Sequence, residues 1–269
     1  MKVYDRDFFK LTEEELSEWK KLEEEEVVAS IGNMEIRKSK FHEFPKAARH
    51  YQSLFPNNYL DIVDLQNVDE LNCLTDNFLQ VLEDKQSNER TILNFINENR
   101  AYSIIASLFS QYDFGHHEAF IFPEFQLGNS VQVDYLLVGK SSGGYEFIFV
   151  ELEHPNGSTF LKDGNLGLAF RNGLKQVNDW RRWLEVHFSS LHETFKKYKN
   201  PKLQFPEEFL ITDRTRLHYA VIAGRRSDFE ENKDLTYKLR REESENKIAL
   251  LHYDNLYDMA RNKIGDNTY

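Results

Sequence analysis

Asp134, Glu151 and Glu153 are the residues in this chain whose types and spacing could do chemistry. Glu151 and Glu153 close the run Phe147-Ile148-Phe149-Val150-Glu151-Leu152-Glu153. Residues two apart on a strand project from the same face, so both carboxylates point one way at the end of an apolar strand. Asp134 lies in the apolar run Val131-Gln132-Val133-Asp134-Tyr135-Leu136-Leu137-Val138. If the two runs pair as a hairpin, Asp134 sits beside Glu151. Three carboxylates at a sheet edge repel one another, and desolvating them unpaired is costly. A divalent cation removes that cost, and Mg²⁺ and Mn²⁺ prefer such oxygen ligands. A metal held there can activate water and stabilise charge at a scissile phosphate. The plainer alternative is that the two glutamates end a strand in solvent while Asp134 pairs with a nearby base. Paired carboxyls could also serve glycosidase-like acid/base chemistry, although nothing else marks a sugar cleft.

The elements that must position these residues follow from hydrophobic periodicity. Residues 89–109 read as a helix, with Ile92, Leu93, Phe95, Ile96, Ile104, Ile105 and Leu108 as its apolar positions. Three strands are predicted next, over 118–127, 131–138 and 145–152, the last two joined by a turn over 139–144. A helix over 168–188, a strand over 217–223, a strand over 248–253 and a helix over 254–263 complete the pattern. That order predicts an α/β fold with a mixed central sheet flanked by helices on both faces. The polar stretch Asp84-Lys85-Gln86-Ser87-Asn88 separates this unit, residues 85–269, from a mostly helical N-terminal accessory region, residues 1–84. Within that region, helices are predicted over 11–28, 45–55 and 71–83, and a strand within 31–44. Thr12 is the expected N-cap of the first helix, with Glu15 as its capping-box partner.

Bulk properties narrow the class of protein. Hydrophobic residues make up 40% and charged residues 29%, as in a globular domain. No apolar run approaches the length needed to span a membrane. Residues 1–10 lack the apolar core of a secretory signal. The single cysteine, Cys73, cannot form an internal disulfide or a thiolate metal site. A cytoplasmic protein is the expectation. The net charge of −11 does not favour a nucleic-acid partner. Local basic clusters nevertheless permit one: Arg181-Arg182, Lys196-Lys197-Lys199, Arg225-Arg226 and Lys238-Arg240-Arg241.

Asp134 followed by Glu151-Leu152-Glu153 resembles the D…(D/E)-x-K signature of the PD-(D/E)XK nuclease superfamily. More specifically, Glu151-Leu152-Glu153-His154-Pro155 followed by Gln176…Trp180 is similar to the Shedu anti-phage nuclease domain. The segments Glu89 to Arg100, Val221 to Arg226 and Leu251 to Leu256 extend the likeness to about residues 85–262. The resemblance implies a restriction-endonuclease-like core that cuts DNA with Mg²⁺ or Mn²⁺ and assembles as a homo-oligomer, a dimer or tetramer, with no membrane partner. It implies that Glu89, Asp134, Glu151 and Glu153 shape the metal site and that Gln176 faces the same cleft. One departure is Glu153, which stands where many superfamily members place lysine. Lys175, and after it Lys162, are the expected replacements for that positive charge. Arg181, Arg182, Arg225 and Arg226 are expected to contact phosphate, or else to pair with this chain's many carboxylates. Glu153 and the negative net charge also suit an alternative, a nuclease-fold scaffold that binds DNA without cutting it. Residues 1–84 carry no readable motif, and a regulatory or sensing role is expected of them.

Overall fold

The computed structural model describes residues 3–128, 131–231 and 233–269. Residues 1 and 2, part of the stretch read above for a signal peptide, lie outside the described residues. Helix α1 (Glu13–Glu25) begins as expected, with Thr12 and Glu15 in a reciprocal capping box. It stops short of residue 28 because Val27 and Val28, both β-branched, enter strand β1 (Val27–Ile31). The single strand expected within 31–44 is instead half of a hairpin. Strand β2 (Met34–Arg37) pairs antiparallel with β1. Gly32, at φ +62°, makes the turn with Asn33, a pair of residues suited to a two-residue hairpin loop. Helices α2 (Lys46–Gln52) and α3 (Val68–Glu83) follow.

The helix expected over 89–109 is broken in two, α4 (Glu89–Glu98) and α5 (Tyr102–Ala106). Arg100 between them adopts φ +51°. The physical reason is reach. A straight 21-residue helix would run about 30 Å. The break folds it back so that Ile92 and Ile96 of α4 and Ile104 and Ile105 of α5 enter one core.

Strands β3 (Glu118–Gln126), β4 (Gln132–Ser141), β5 (Gly144–Leu152), β6 (Leu217–Ile222) and β7 (Ile248–Leu251) form one sheet in that order. The first three are an antiparallel meander, and β6 and β7 add in parallel to β5. Parallel neighbours need crossovers. The first carries α6 (Leu168–His187) and α7 (Leu191–Phe195), and the second α8 (Arg226–Glu230) and α9 (Lys233–Glu245). Helix α10 (Tyr253–Lys263) ends the fold. The β4–β5 turn is tighter than the six residues expected, because pairing continues to Ser141 and Gly144. Gly144, at φ +101°, accommodates the reversal.

Alternation along β5 divides the interior. Ile148, Val150 and Leu152 join the core under α3, α4, α5 and α10, whereas Phe147 and Phe149 join the core under α6 and α7. Glu151 continues the second set, which aims it at α6. Residues before 85 contribute to both layers: Leu65, Phe78 and Leu82 to the first, Leu54, Phe55 and Tyr59 to the second. Their backbone also borders β3, through Leu60 N–H to Ala119 O (2.8 Å) and Ile121 N–H to Asn58 O (3.0 Å). Nearby, buried Arg49 forms a two-pronged ion pair with buried Asp61.

Candidate active site

Four carboxylates gather where β5 ends. Asp134 lies on β4 one residue beyond the paired couple Tyr135 and Val150, and so in register with Glu151. Its Oδ2 accepts a hydrogen bond from Leu152 N–H at 2.7 Å. A side chain thus takes over where the backbone ladder opens. Glu151 is 4% exposed and Glu153 6% exposed. The strand end that carries them is clamped on two sides. Glu153 N–H donates to Ile222 O (2.8 Å), and buried Tyr253 Oη donates to Glu153 O (2.6 Å). Glu89 is the first residue of α4, placed by an N-cap in which Asn88 accepts from Thr91 N–H.

Helix α6 closes the site from one side. Gln176 Nε2 donates to Glu151 Oε1, which fixes the rotamer of a buried carboxyl. The helix comes this near because residue 173 is glycine. A Cβ there would stand 2.4 Å from Val221 Cγ1 and 3.3 Å from Glu153 Cγ. Trp180, one turn beyond Gln176, is buried in the core beneath α6 and anchors the helix.

Electrostatics follow from burial and crowding. Burial, then Glu89 and Glu124, push the Asp134 carboxyl up, against the opposing pull of the Leu152 N–H. Burial, then Asp134, Glu153 and Glu89, raise Glu151, against the Gln176 amide. Glu153 is raised to about 7 by burial and by Glu89 and Asp134. Glu89 is raised by burial, opposed by His154. The charges that the four carboxylates feel are therefore one another, Glu124 and His154. Such a cluster holds protons at neutral pH or exchanges them for a cation.

The all-oxygen donor set fits a hard divalent cation by its chemistry. Among the described residues, no group of three or more His, Cys, Asp or Glu stands in ready metal-ligating geometry. The hydrogen bonds to Asp134 Oδ2 and Glu151 Oε1 are what an ion would compete with.

The structure brings together Glu89, Asp134, Glu151, Glu153 and Gln176, and none of the basic residues named from the sequence is among the charges acting on the four carboxylates. Lys175 and Lys162 are exposed. Arg181 lies over the Tyr219 ring, 5.8 Å from its centroid, and Arg182 pairs with Asp179 on its own helix. Arg225 pairs with Asp254 at 2.7 Å, and Arg226 with Asp258. Three contributors were not singled out from the sequence. Glu124, at φ +50° on the far side of β4 from Glu151, adds to the negative charge that faces Asp134 and pushes its pKa up. Tyr253 holds the end of β5, and Asn156 follows the glutamate pair by three residues. Only Tyr253, an aromatic at the end of a strand, carried a sequence signal, and that signal was for core packing.

Fold and site together define a mixed α/β protein that gathers four carboxylates at the end of its central strand. The chain belongs to the Shedu family: the model of the C-terminal region of Shedu protein SduA matches residues 86–257, more than half of its length. That stretch contains all four carboxylates and Gln176. No curated protein matches the chain. No helix among the described residues is long and apolar enough to cross a membrane.

Proposed function

We propose that this chain is a metal-dependent nuclease that hydrolyses DNA phosphodiester bonds in anti-phage defence, built on a PD-(D/E)XK-type core. Shedu membership points towards defence. The observation that carries the nuclease reading is the convergence of Glu89, Asp134, Glu151 and Glu153, each with its carboxyl pKa raised. Burying mutually repelling carboxylates is costly, and a divalent cation relieves it.

In this reading Glu89, Asp134 and Glu151 hold Mg²⁺ or Mn²⁺, and Glu153 holds a second ion or the attacking water. The bound metal supplies Lewis acidity and a water of lowered pKa. The chain's own groups do the rest. Gln176 fixes Glu151 through its amide. Glu153, buried on the same strand face as Glu151, is placed to accept a proton from the attacking water. Lys175, or after it Lys162, supplies the positive charge at the reacting phosphate. Arg181, Arg182 and the exposed Arg226 contact the DNA backbone, whereas the Arg225 expected to join them is held by Asp254. Residues 1–84 serve as an accessory region that packs into the cores of the nuclease unit 85–269, and the protein acts in the cytoplasm as a homo-oligomer, a dimer or tetramer.

A second reading, a scaffold that binds DNA without cutting it, is favoured by the charges around the site: neither Lys175 nor Lys162 is among the groups acting on the four carboxylates. One experiment separates the two readings. Linear and circular DNA are incubated with wild type and Glu151→Gln, in Mg²⁺, Mn²⁺ or EDTA. Metal-dependent cleavage, reduced at least 100-fold in the variant, is expected. DNA binding without cleavage under every condition would select the scaffold.

A further inference from the structure

The loop between α3 and α4 delivers Glu89 to the other carboxylates, and two side chains hold that loop from outside. Asn156 Nδ2 donates to Ser87 O at 3.1 Å and reaches the carbonyl oxygens of Asp84 and Lys85 at 3.5 Å. Arg225 Nη1 donates to Leu82 O at the end of α3. Its Nε and Nη2 grip Asp254 at 3.1 and 2.7 Å.

Both tethers are themselves anchored to the strand ends. Asn156 N–H donates to His154 Nδ1 at 3.0 Å. His154 O accepts from Gly157 N–H (3.1 Å) and Gly224 N–H (3.2 Å), which ties the loop after β5 to the loop after β6. Asp254 also accepts from Arg226 N–H at 2.8 Å. The bonds of loop 84–88 to its own neighbourhood give it shape but do not dock it. Ser87 Oγ donates to Val81 O (2.6 Å), Gln86 N–H to Asp84 Oδ1 (2.9 Å) and Ser87 N–H to Asp84 O (3.0 Å).

We infer that Asn156 and Arg225 are positioning residues that dock this loop on the ends of the strands and thereby set Glu89 against Asp134, Glu151 and Glu153. The inference rests on the carboxylates being the metal site, and it gives Arg225 a task other than contacting phosphate. Helix α4 is packed through Ile92 and Ile96, one turn and more from its start. Its first turn, with Glu89, depends on the polar tethers. Groups that orient metal ligands are worth about 10–100-fold in metal affinity.

The test uses the full chain, with Asn156→Ala, Arg225→Lys and, as the ligand control, Glu89→Gln. Asn156 is exposed, so its truncation leaves the core intact. Arg225→Lys keeps the charge opposite Asp254 but lacks the second arm towards Leu82 O. In the metal-free protein, hydrogen–deuterium exchange over residues 84–92 should accelerate about 10-fold in both tether variants, with the sheet unchanged. Calorimetric titration with Mn²⁺ alone should show affinity about 10-fold weaker for Asn156→Ala and for Glu89→Gln. Unchanged exchange over 84–92 overturns the docking role. Mn²⁺ affinity that falls in Glu89→Gln but not in Asn156→Ala overturns the positioning role, and the reverse pattern overturns the route through Glu89. A wild type that binds no Mn²⁺ overturns the metal-site reading instead, and the exchange result then decides the docking by itself.

Discussion

Replacing Glu151 with Gln should stabilise the metal-free protein while removing its response to Mn²⁺. Glu151 is 4% exposed, and burial together with Asp134, Glu153 and Glu89 raises its pKa above the ordinary 4.5. A carboxyl with a raised pKa binds more protons folded than unfolded. Stability therefore falls as pH rises through the ordinary pKa and keeps falling up to the folded one. At pH 7.5, three pH units above the ordinary value, holding this group neutral costs up to about 4 kcal/mol at 1.36 per unit. Gln takes up no proton, and its carbonyl can still accept the Gln176 amide. Local relaxation and water entry reduce the gain, so about 2 kcal/mol is expected, or about 4–8 °C in thermal midpoint for a chain of this size. The assay is thermal unfolding in EDTA at pH 7.5 and again at pH 5.5, where the gain should fall to less than half. Mn²⁺ at a hundred times its dissociation constant should then stabilise the wild type by about 2.7 kcal/mol and the variant by much less. A variant that melts below the wild type in EDTA at pH 7.5, or that gains as much from Mn²⁺, would refute both the burial argument and the site.

Two further substitutions probe the scaffold. Gly173→Ala should push α6 off β6, because the added Cβ meets Val221 at 2.4 Å and Glu153 at 3.3 Å. A loss of about 1–3 kcal/mol in denaturant unfolding and a larger proportional loss of cleavage are expected, since Gln176 moves with the helix. Arg49→Met leaves Asp61 buried without its arginine, with only His50 and the Val63 N–H to face it, and should cost about 3–5 kcal/mol, with Arg49→Met/Asp61→Leu recovering part of it. For Asp61, burial raises the carboxyl pKa, but His50 and Arg49 more than reverse this and pull it to about 2. Its contribution is thus present above the ordinary 3.8 and lost as pH falls through 2, which acid unfolding of wild type and double variant should show.

Much of the site is legible in the residue types and their spacing. The i, i+2 spacing of Glu151 and Glu153 places both on one face of any strand, and an apolar strand of that length has to be a core strand. The Asp134 pairing followed from hairpin proximity, and Gln176 came from its resemblance to a family pattern rather than from its own chemistry. The element order was legible because each strand and helix has a strong period. Breaks were less so. The chain reverses at Arg100 although nothing in Glu98-Asn99-Arg100-Ala101 forbids a helix, because the fold needs Ile104 and Ile105 in the same core as Ile92 and Ile96. The hairpin at Gly32-Asn33 did carry a local turn signal, but one overshadowed by the alternation around it.

The arginines show the limit most plainly. Arg225 and Arg226 are a basic pair in sequence, and a basic pair suits phosphate equally well in any fold. Only the packing of α10 against α8 places Asp254 and Asp258 opposite them, drawing Arg225 into a partly buried ion pair while Arg226 pairs at the surface. Asn156 is likewise an unremarked polar residue until the α3–α4 loop arrives beside it from some seventy positions away. Residue types and local periods determined which carboxylates share a strand face and which elements carry them, since those depend on covalent geometry and on burial. Charge balance and polar tethers were decided by tertiary structure, because a hydrogen bond or ion pair depends on distance in space, and contacts this long-range leave no period in the chain.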